Sequence, residues 1–245
     1  MSHEPYTRLP NISINGLKSP YGIGAGSTCL YVSDWGSRAI WRVKSADNKV
    51  GQWVSRVGAL SVSVTSEEKL VLVVVVETRD SVEVRNLTYY CEIHVYSSGA
   101  VKESVINLSR DITSLHCAVM TTRKTFIVSY GMPWREMSRV CEVDMTGHML
   151  KAFGSAPGEG VGQHNTPLHL SLDDEERIIV VDAGNHRVLL LNKQFMLQRV
   201  LVTWNDPQSL NDRAAGPSRL HYDKHSGRLL VGLAGGHVDI YQLRD

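Results

Sequence analysis

Residues 177–192 read RIIVVDAGNHRVLLLN. Two aliphatic runs flank a turn containing Asp182, Gly184, Asn185 and Arg187. Short β-branched runs separated by Asp, Gly and Asn are the signature of a hairpin. Asp caps such a turn through bonds to its own backbone, while Gly and Asn tolerate positive φ. Arg187, opening the second strand, is placed to reach Asp182. The spacing admits a catalytic pair, a salt-bridged turn, or one unit of a repeat. The rest of the chain decides among these.

The same rhythm recurs four more times. Comparable pairs are CLYVSDWGSRAIWRV (29–43), LVLVVVVE (70–77) with YCEIHVY (90–96), TFIVSYG (125–131) with RVCEVD (139–144), and RLLVGLAGGHVDIYQL (228–243). The anchor valines Val32, Val74, Val128, Val180 and Val231 stand 42, 54, 52 and 51 residues apart. Returning from Val231 through the C-terminus to Val32 adds about 46, so the period closes five times in 245 residues. Repeats of this length built from short strands indicate a β-propeller. No window shows sustained helical periodicity. The expected fold is therefore all-β, a single closed propeller of four-stranded blades spanning 1–245.

Each unit divides into strands a to d. Strand a is GIGAG (22–26), SVSVT (61–65), HCAVM (116–120), LHLSL (168–172) and RLHYD (219–223). Strand d is VGQWVSRV (50–57), VKESVINL (101–108), MLKAFG (149–154) and MLQRVLVT (196–203). The fifth unit lacks a strand d, while YTRLPNISI (6–14) precedes the first unit as an orphan. Pairing that N-terminal strand with strand c of the last blade would close the ring and remove an exposed edge.

The segment PLHLSL…IIVVDAGNHRV, preceded by the Gly-rich FGSAPGEGVGQHNTP (153–167), resembles the NHL repeat. Blade 4 carries the resemblance through Pro167, Val181, Asp182, Asn185, His186, Arg187 and Val188. Blade 1 aligns without gaps, with Asp34 on Asp182, Ile40 on Val188, and Ala39 where Arg187 stands. Blade 5 keeps Pro217 and a shorter Gly235–His237 turn, and blades 2 and 3 follow mainly in rhythm. The resemblance implies an interaction domain like the C-terminal domain of tripartite-motif proteins, which pair it with RING, B-box and coiled-coil modules. Such propellers commonly have six blades, the alternative to the five counted here. Oligomerisation would then lie in domains outside this chain.

With 26 basic and 25 acidic residues the net charge is +1, unlike the surplus of most polyanion binders. No DNA partner is expected. The longest apolar run, 70–76, is too short for a membrane helix, and no membrane partner is expected. Cys29, Cys91, Cys117 and Cys141 are scattered through apolar stretches without CxxC spacing, which predicts buried reduced thiols in a reducing, cytoplasmic setting.

Signals for catalysis are weak. His116, His169 and His221 recur in or beside strand a, where three imidazoles would suit zinc, but Gly22 and Ser61 stand there in other blades. The expectation is no metal, no cofactor and channel-facing, water-bonded histidines. Asp173–Glu176 reads as a solvated a–b turn, and GEGVG (158–162) lacks a phosphate loop's Lys-Ser/Thr. A lactonase- or lyase-like propeller enzyme is the remaining catalytic alternative.

In a propeller the b–c and d–a loops share one face, and here they are the long ones (78–88, 129–138, 154–167, 204–217). Long loops on a rigid scaffold usually carry function. Trp35, Tyr130, Trp134 and Trp204 are its expected anchors, with Arg38, Arg85, Arg135 and Arg213 as charged contacts, since Trp, Tyr and Arg dominate hot spots. Tyr21 and Met132 lie on the same face. That face carries eight basic and ten acidic residues. The balance favours a protein partner over RNA, which needs a positive surface.

Overall fold

A computed structural model describes residues 13–79, 87–109, 112, 115–131, 138–154, 165–204 and 216–243. They form five antiparallel sheets arranged as a five-blade propeller. Blade 1 contains Pro20–Ala25 (β1), Cys29–Asp34 (β2), Ala39–Lys44 (β3) and Val50–Ser55 (β4). Blade 2 contains Ala59–Val64 (β5), Leu70–Arg79 (β6), Leu87–Tyr96 (β7) and Lys102–Asn107 (β8). Blade 3 contains Leu115–Met120 (β9), Phe126–Tyr130 (β10), Arg139–Val143 (β11) and Met149–Phe153 (β12).

Blade 4 contains Pro167–Leu172 (β13), Ile178–Asp182 (β14), Arg187–Leu191 (β15) and Leu197–Thr203 (β16). Blade 5 has three strands among the described residues: Pro217–Asp223 (β17), Arg228–Leu233 (β18) and Val238–Gln242 (β19). Of the expected closing strand, 6–14, residues 6–12 lie outside the described residues, and Ser13 and Ile14 belong to no strand.

Every inner strand carries a bulge at one place, opposite the end of its neighbour: after Pro20, Ala59, Leu115, Pro167 and Pro217. A bulge bends a strand and strengthens its twist, which lets five sheets fan around one axis. The ladder also fixes which residues correspond. Val32, Leu72, Val128, Val180 and Val231 occupy one position, opposite Ile23, Val62, Ala118, Leu170 and Leu220. The blade 2 anchor is therefore Leu72, not Val74, because the Val-rich run 70–76 hides its own register.

Side chains alternate across each strand, so each sheet presents one face to the preceding blade and one to the following blade. Four junctions are filled by apolar clusters. Leu70 and Leu72 meet Tyr31 and Ile40 between blades 1 and 2, and Phe126 and Val128 meet Ile93 and Ile106 between blades 2 and 3. Ile178 and Val180 meet Ile127 and Val140 between blades 3 and 4, and Leu220 and Leu229 meet Val181 and Val188 between blades 4 and 5. Among the described residues no cluster joins blade 5 to blade 1.

The a–b turns also latch neighbours together. Glu68 accepts the Ser27 N–H of blade 1 at 2.9 Å, and Glu176 accepts the Thr122 N–H of blade 3 at 2.6 Å. This corrects the reading of 173–176 as a merely solvated tip. Asp173 is buried and paired with Arg177 at 2.5 Å, and Asp174 accepts from Tyr222 of blade 5. The cysteines are reduced, with Cys29, Cys117 and Cys141 buried and Cys91 only partly so.

Candidate functional site

The opening hairpin resolves as a staple. Asp182 is fully buried and accepts from Arg187 Nε at 2.8 Å, Asn185 Nδ2 at 2.8 Å and the Asn165 N–H at 2.7 Å. A buried carboxylate is tolerable only with such partners. The turn is one 3-10 turn, Ala183–Asn185, and the left-handed residue is His186 at φ 49°, not Gly184 or Asn185. Gly184 is required instead by close approach, since a Cβ there would lie 2.4 Å from the Asn165 side chain.

Blade 1 repeats the device without an arginine. Asp34 is buried and accepts from the N–H groups of Lys18 at 3.0 Å and Ser19 at 2.5 Å, and from the Ser37 hydroxyl. Burial pushes its carboxyl up, but the bonds from Ser37, Ser19 and Lys18 together outweigh that and hold it below the usual carboxylate value.

Of the eight expected contact residues, Arg85, Trp134, Arg135 and Arg213 lie outside the described residues. Arg38 is exposed at the blade 1 turn. Trp35 is partly buried, its ring lying on Gly58. Trp204 is half-buried and meets Tyr241 edge to face at 6.4 Å, inside the blade 4–5 cluster. Tyr130 is fully buried in the blade 2–3 core, which corrects its assignment to a contact surface. The ladder explains the error: Tyr130 fills the position that Asp34 and Asp182 hold in blades 1 and 4. A strand-end residue there points into the blade, whatever its type.

Among the described residues Tyr21 is an exposed aromatic of this face. It is 52% exposed at the start of β1, with the Arg219 guanidinium 5.9 Å from its ring centroid. Tyr21 adjoins Ser19, whose carbonyl accepts the Trp35 N–H, so Tyr21, Trp35 and Arg38 share one corner.

Below this corner lies a cavity of about 1050 Å³, lined by the inner strands of all five blades. The three strand-a histidines do not share a position. His169 matches Arg219, Cys117, Ser61 and Gly22, whereas His116 is a bulge residue and His221 lies two residues further along. Among the described residues no three His, Cys, Asp or Glu side chains are grouped as metal ligands. His116 Nε2 is spent on the Gly131 carbonyl at 2.7 Å.

Burial, then the charges of Arg219 and His221, push the His169 imidazole down to about 3, so it is neutral at physiological pH. Its Nδ1 is buried without a hydrogen-bond partner among the described residues. Arg219 donates to two backbone carbonyls, Ser218 at 2.8 Å and Tyr21 of blade 1 at 3.4 Å. No carboxylate pairs with it among the described residues.

The cavity extends sideways into the unfilled junction. On blade 1, Ile23 is 63% exposed, whereas its counterpart Leu220 is 5% exposed. Facing it on blade 5, Val238 is 60% exposed, whereas its counterparts Ile40, Ile93, Val140 and Val188 are fully buried. Ile23, Leu30 and Val32 on one side and Leu230, Gly232 and Val238 on the other all line the cavity. Sequence reasoning missed this seam, because Ile23 and Val238 obey the same alternation as their buried counterparts.

No protein-family model matches this sequence, and neither does any curated protein. Solved structures do share its fold. A protein of unknown function from Bacteroides caccae superposes at a TM-score of 0.61 with 13% identity, over 89% of this chain and 71% of that one. Virginiamycin B lyase from Staphylococcus aureus superposes at 0.54 with 10% identity, over 93% and 71%. A chain of a nidogen–laminin complex superposes at 0.57 with 15% identity, over 91% and 80%. These neighbours, an enzyme and a member of a protein complex among them, share a β-propeller fold with this chain.

Proposed function

We propose that this chain is a non-enzymatic binding module of the NHL type whose partner is a protein, engaged through the face of the b–c and d–a loops. The observation that carries the reading is the exposed Tyr21, backed by the Arg219 guanidinium and adjoining Trp35 and Arg38. Aromatic and arginine side chains at a rim provide large contact area at modest entropy cost. The near-neutral charge of the face supports protein over RNA, whose binding rests on counterion release. The nidogen–laminin neighbour is consistent with a propeller serving protein recognition.

A photo-crosslinking residue placed at Arg38 tests the reading in cells. It is expected to trap one discrete protein, with trapping reduced at least tenfold by Tyr21→Ala, a loss of about 1.4 kcal/mol or more. Tight binding of pooled RNA oligomers, falling steeply with salt and lost in Arg38→Glu, would overturn it in favour of an RNA-binding propeller. Turnover of a lactone by the purified chain would favour the enzyme alternative.

A further inference from the structure

We propose that the seam between blades 5 and 1 binds an amphipathic organic anion. Its carboxylate sits on Arg219, and its hydrocarbon body lies between Ile23 and Val32 on one wall and Leu230 and Val238 on the other. The site shares Arg219 and Tyr21 with the corner of the protein-binding face and runs from there into the ring.

The charge argument begins with Arg219. A guanidinium carries five N–H donors in a planar fork suited to a carboxylate. Among the described residues those of Arg219 engage only the Ser218 and Tyr21 carbonyls, the second at a long 3.4 Å. It lines a cavity, has no acidic partner among the described residues, and stands beside a neutral His169 whose Nδ1 is buried and unbonded. An arginine with no acidic partner among the described residues, level with the neutral His169, makes a recognition point for an oxyanion. The carboxylates that line the same cavity, Glu67, Glu68, Asp174 and Glu176 in the a–b turns and Asp223 at the end of β17, lie with Lys124 and Lys224 at the opposite end of the inner strands from Arg219.

The apolar argument is geometric. Arg219 pairs with Gly232, which pairs with Val238, so the cation and the first apolar residue of the blade 5 wall stand at one level. Leu230 follows two residues along, and across the gap Ile23 and Val32 pair with each other one level below the strand start, with Leu30 two residues further. The walls therefore run about three residues from the cation, roughly 10 Å. Gly232 leaves room where the other blades carry Ser33, Val73, Ser129 and Val181. A cavity of about 1050 Å³ with mostly apolar walls and an arginine at one end has the character of a small-molecule site rather than of a flat protein interface.

Titration calorimetry on the full chain, with decanoate as the probe, tests the assignment. Decanoate is expected to bind at one site per chain, with decan-1-ol and acetate each at least tenfold weaker, since one lacks the charge and the other the body. Arg219→Gln is expected to weaken decanoate at least tenfold while leaving decan-1-ol unchanged, and Arg219→Lys to recover part of the loss. Ile23→Glu is expected to weaken decanoate as strongly, and Lys49→Glu, on the outer edge of blade 1, to bind as the parent does. Equal affinity for decanoate and decan-1-ol on the unmodified chain would overturn the proposal even if Arg219→Gln failed to fold. So would an absence of decanoate binding by the full chain that is relieved on deleting residues 1–12, which would give the seam to the chain's own N-terminal segment.

Discussion

Four junctions of this propeller and the fifth are built from corresponding residues, yet among the described residues only four are filled. Val62, Ala118, Leu170 and Leu220 each face the preceding blade and are buried, while Ile23, at the same ladder position, is largely exposed. The difference is not one of hydrophobicity, because isoleucine is at least as apolar as alanine or valine. It lies in what stands opposite. A blade cannot bury its own faces, and each is stable only by stacking on the next. Blade 5 offers blade 1 a glycine at 232 and, among the described residues, no fourth strand. Among the described residues the link from blade 5 to blade 1 is polar, carried by Arg219 reaching the Tyr21 carbonyl and ring.

Substitutions at corresponding positions put numbers on the contrast. Phe126 is fully buried between blades 2 and 3, and Leu30 holds its position at the open seam. Phe126→Ala is expected to cost about 3–5 kcal/mol, and Leu30→Ala about 1 kcal/mol, read as midpoint shifts in urea denaturation. Equal losses would mean that the seam is packed in solution. One step smaller, Leu220→Ala should cost about 2–4 kcal/mol against less than about 0.5 kcal/mol for Ile23→Ala. The same urea series measures both.

Glycines sharpen the comparison from the backbone side. Gly147, in the turn of blade 3 that abuts blade 2, has φ +83°, and a Cβ there would lie 1.9 Å from the Asn107 carbonyl oxygen. Gly147→Ala is expected to cost about 2–3 kcal/mol through strain and clash, lowering the thermal midpoint.

The pH dependence reads the seam's electrostatics. An unfolded histidine titrates near 6.5, and folded His169 near 3. Between these values the unfolded state binds the extra proton. The stability contributed by neutral His169 is therefore complete above pH 6.5 and is lost as pH falls toward 3, at no more than about 1.4 kcal/mol per unit. His169→Gln is expected to flatten the stability profile over pH 6.5 to 4 relative to the parent, and unchanged slopes would remove the buried neutral imidazole from the account.

The smallest expected effect is a gain. Gly232 has no positive φ, and an added Cβ would meet only Arg219, at 3.5 Å. Gly232→Ala should stabilise by about 0.4–1 kcal/mol through the unfolded state. A loss of more than 1 kcal/mol there would show that blade 1 closes onto that glycine.

Much of this was legible in the chain. Alternating aliphatic runs at a steady period predicted the hairpins, the blade count and the strands nearly to the residue, because β pairing with one buried face per neighbour imposes period two and turn residues between. The Asp182–Arg187 staple was legible for the same reason, since turn chemistry is local. Residues whose environment comes from distant segments were less so. Tyr130 looked like a loop aromatic from its neighbours Gly131 and Pro133 and proved to be core. Asp173 and Glu176 looked like solvated charge and proved to be a buried pair and an interblade latch.

By itself the sequence determined an all-β propeller of five repeating units, four of them with a complete set of strands, and a balanced charge. Those properties follow from residue type and spacing, which act over a few residues. The tertiary structure alone decided that Ile23 and Val238 are exposed, that Arg219 reaches across to Tyr21 with no acidic partner among the described residues, and that His169 is held neutral beside it. Burial and electrostatic environment depend on which atoms the ring brings within a few ångströms, and no pattern within one blade records what the facing blade presents.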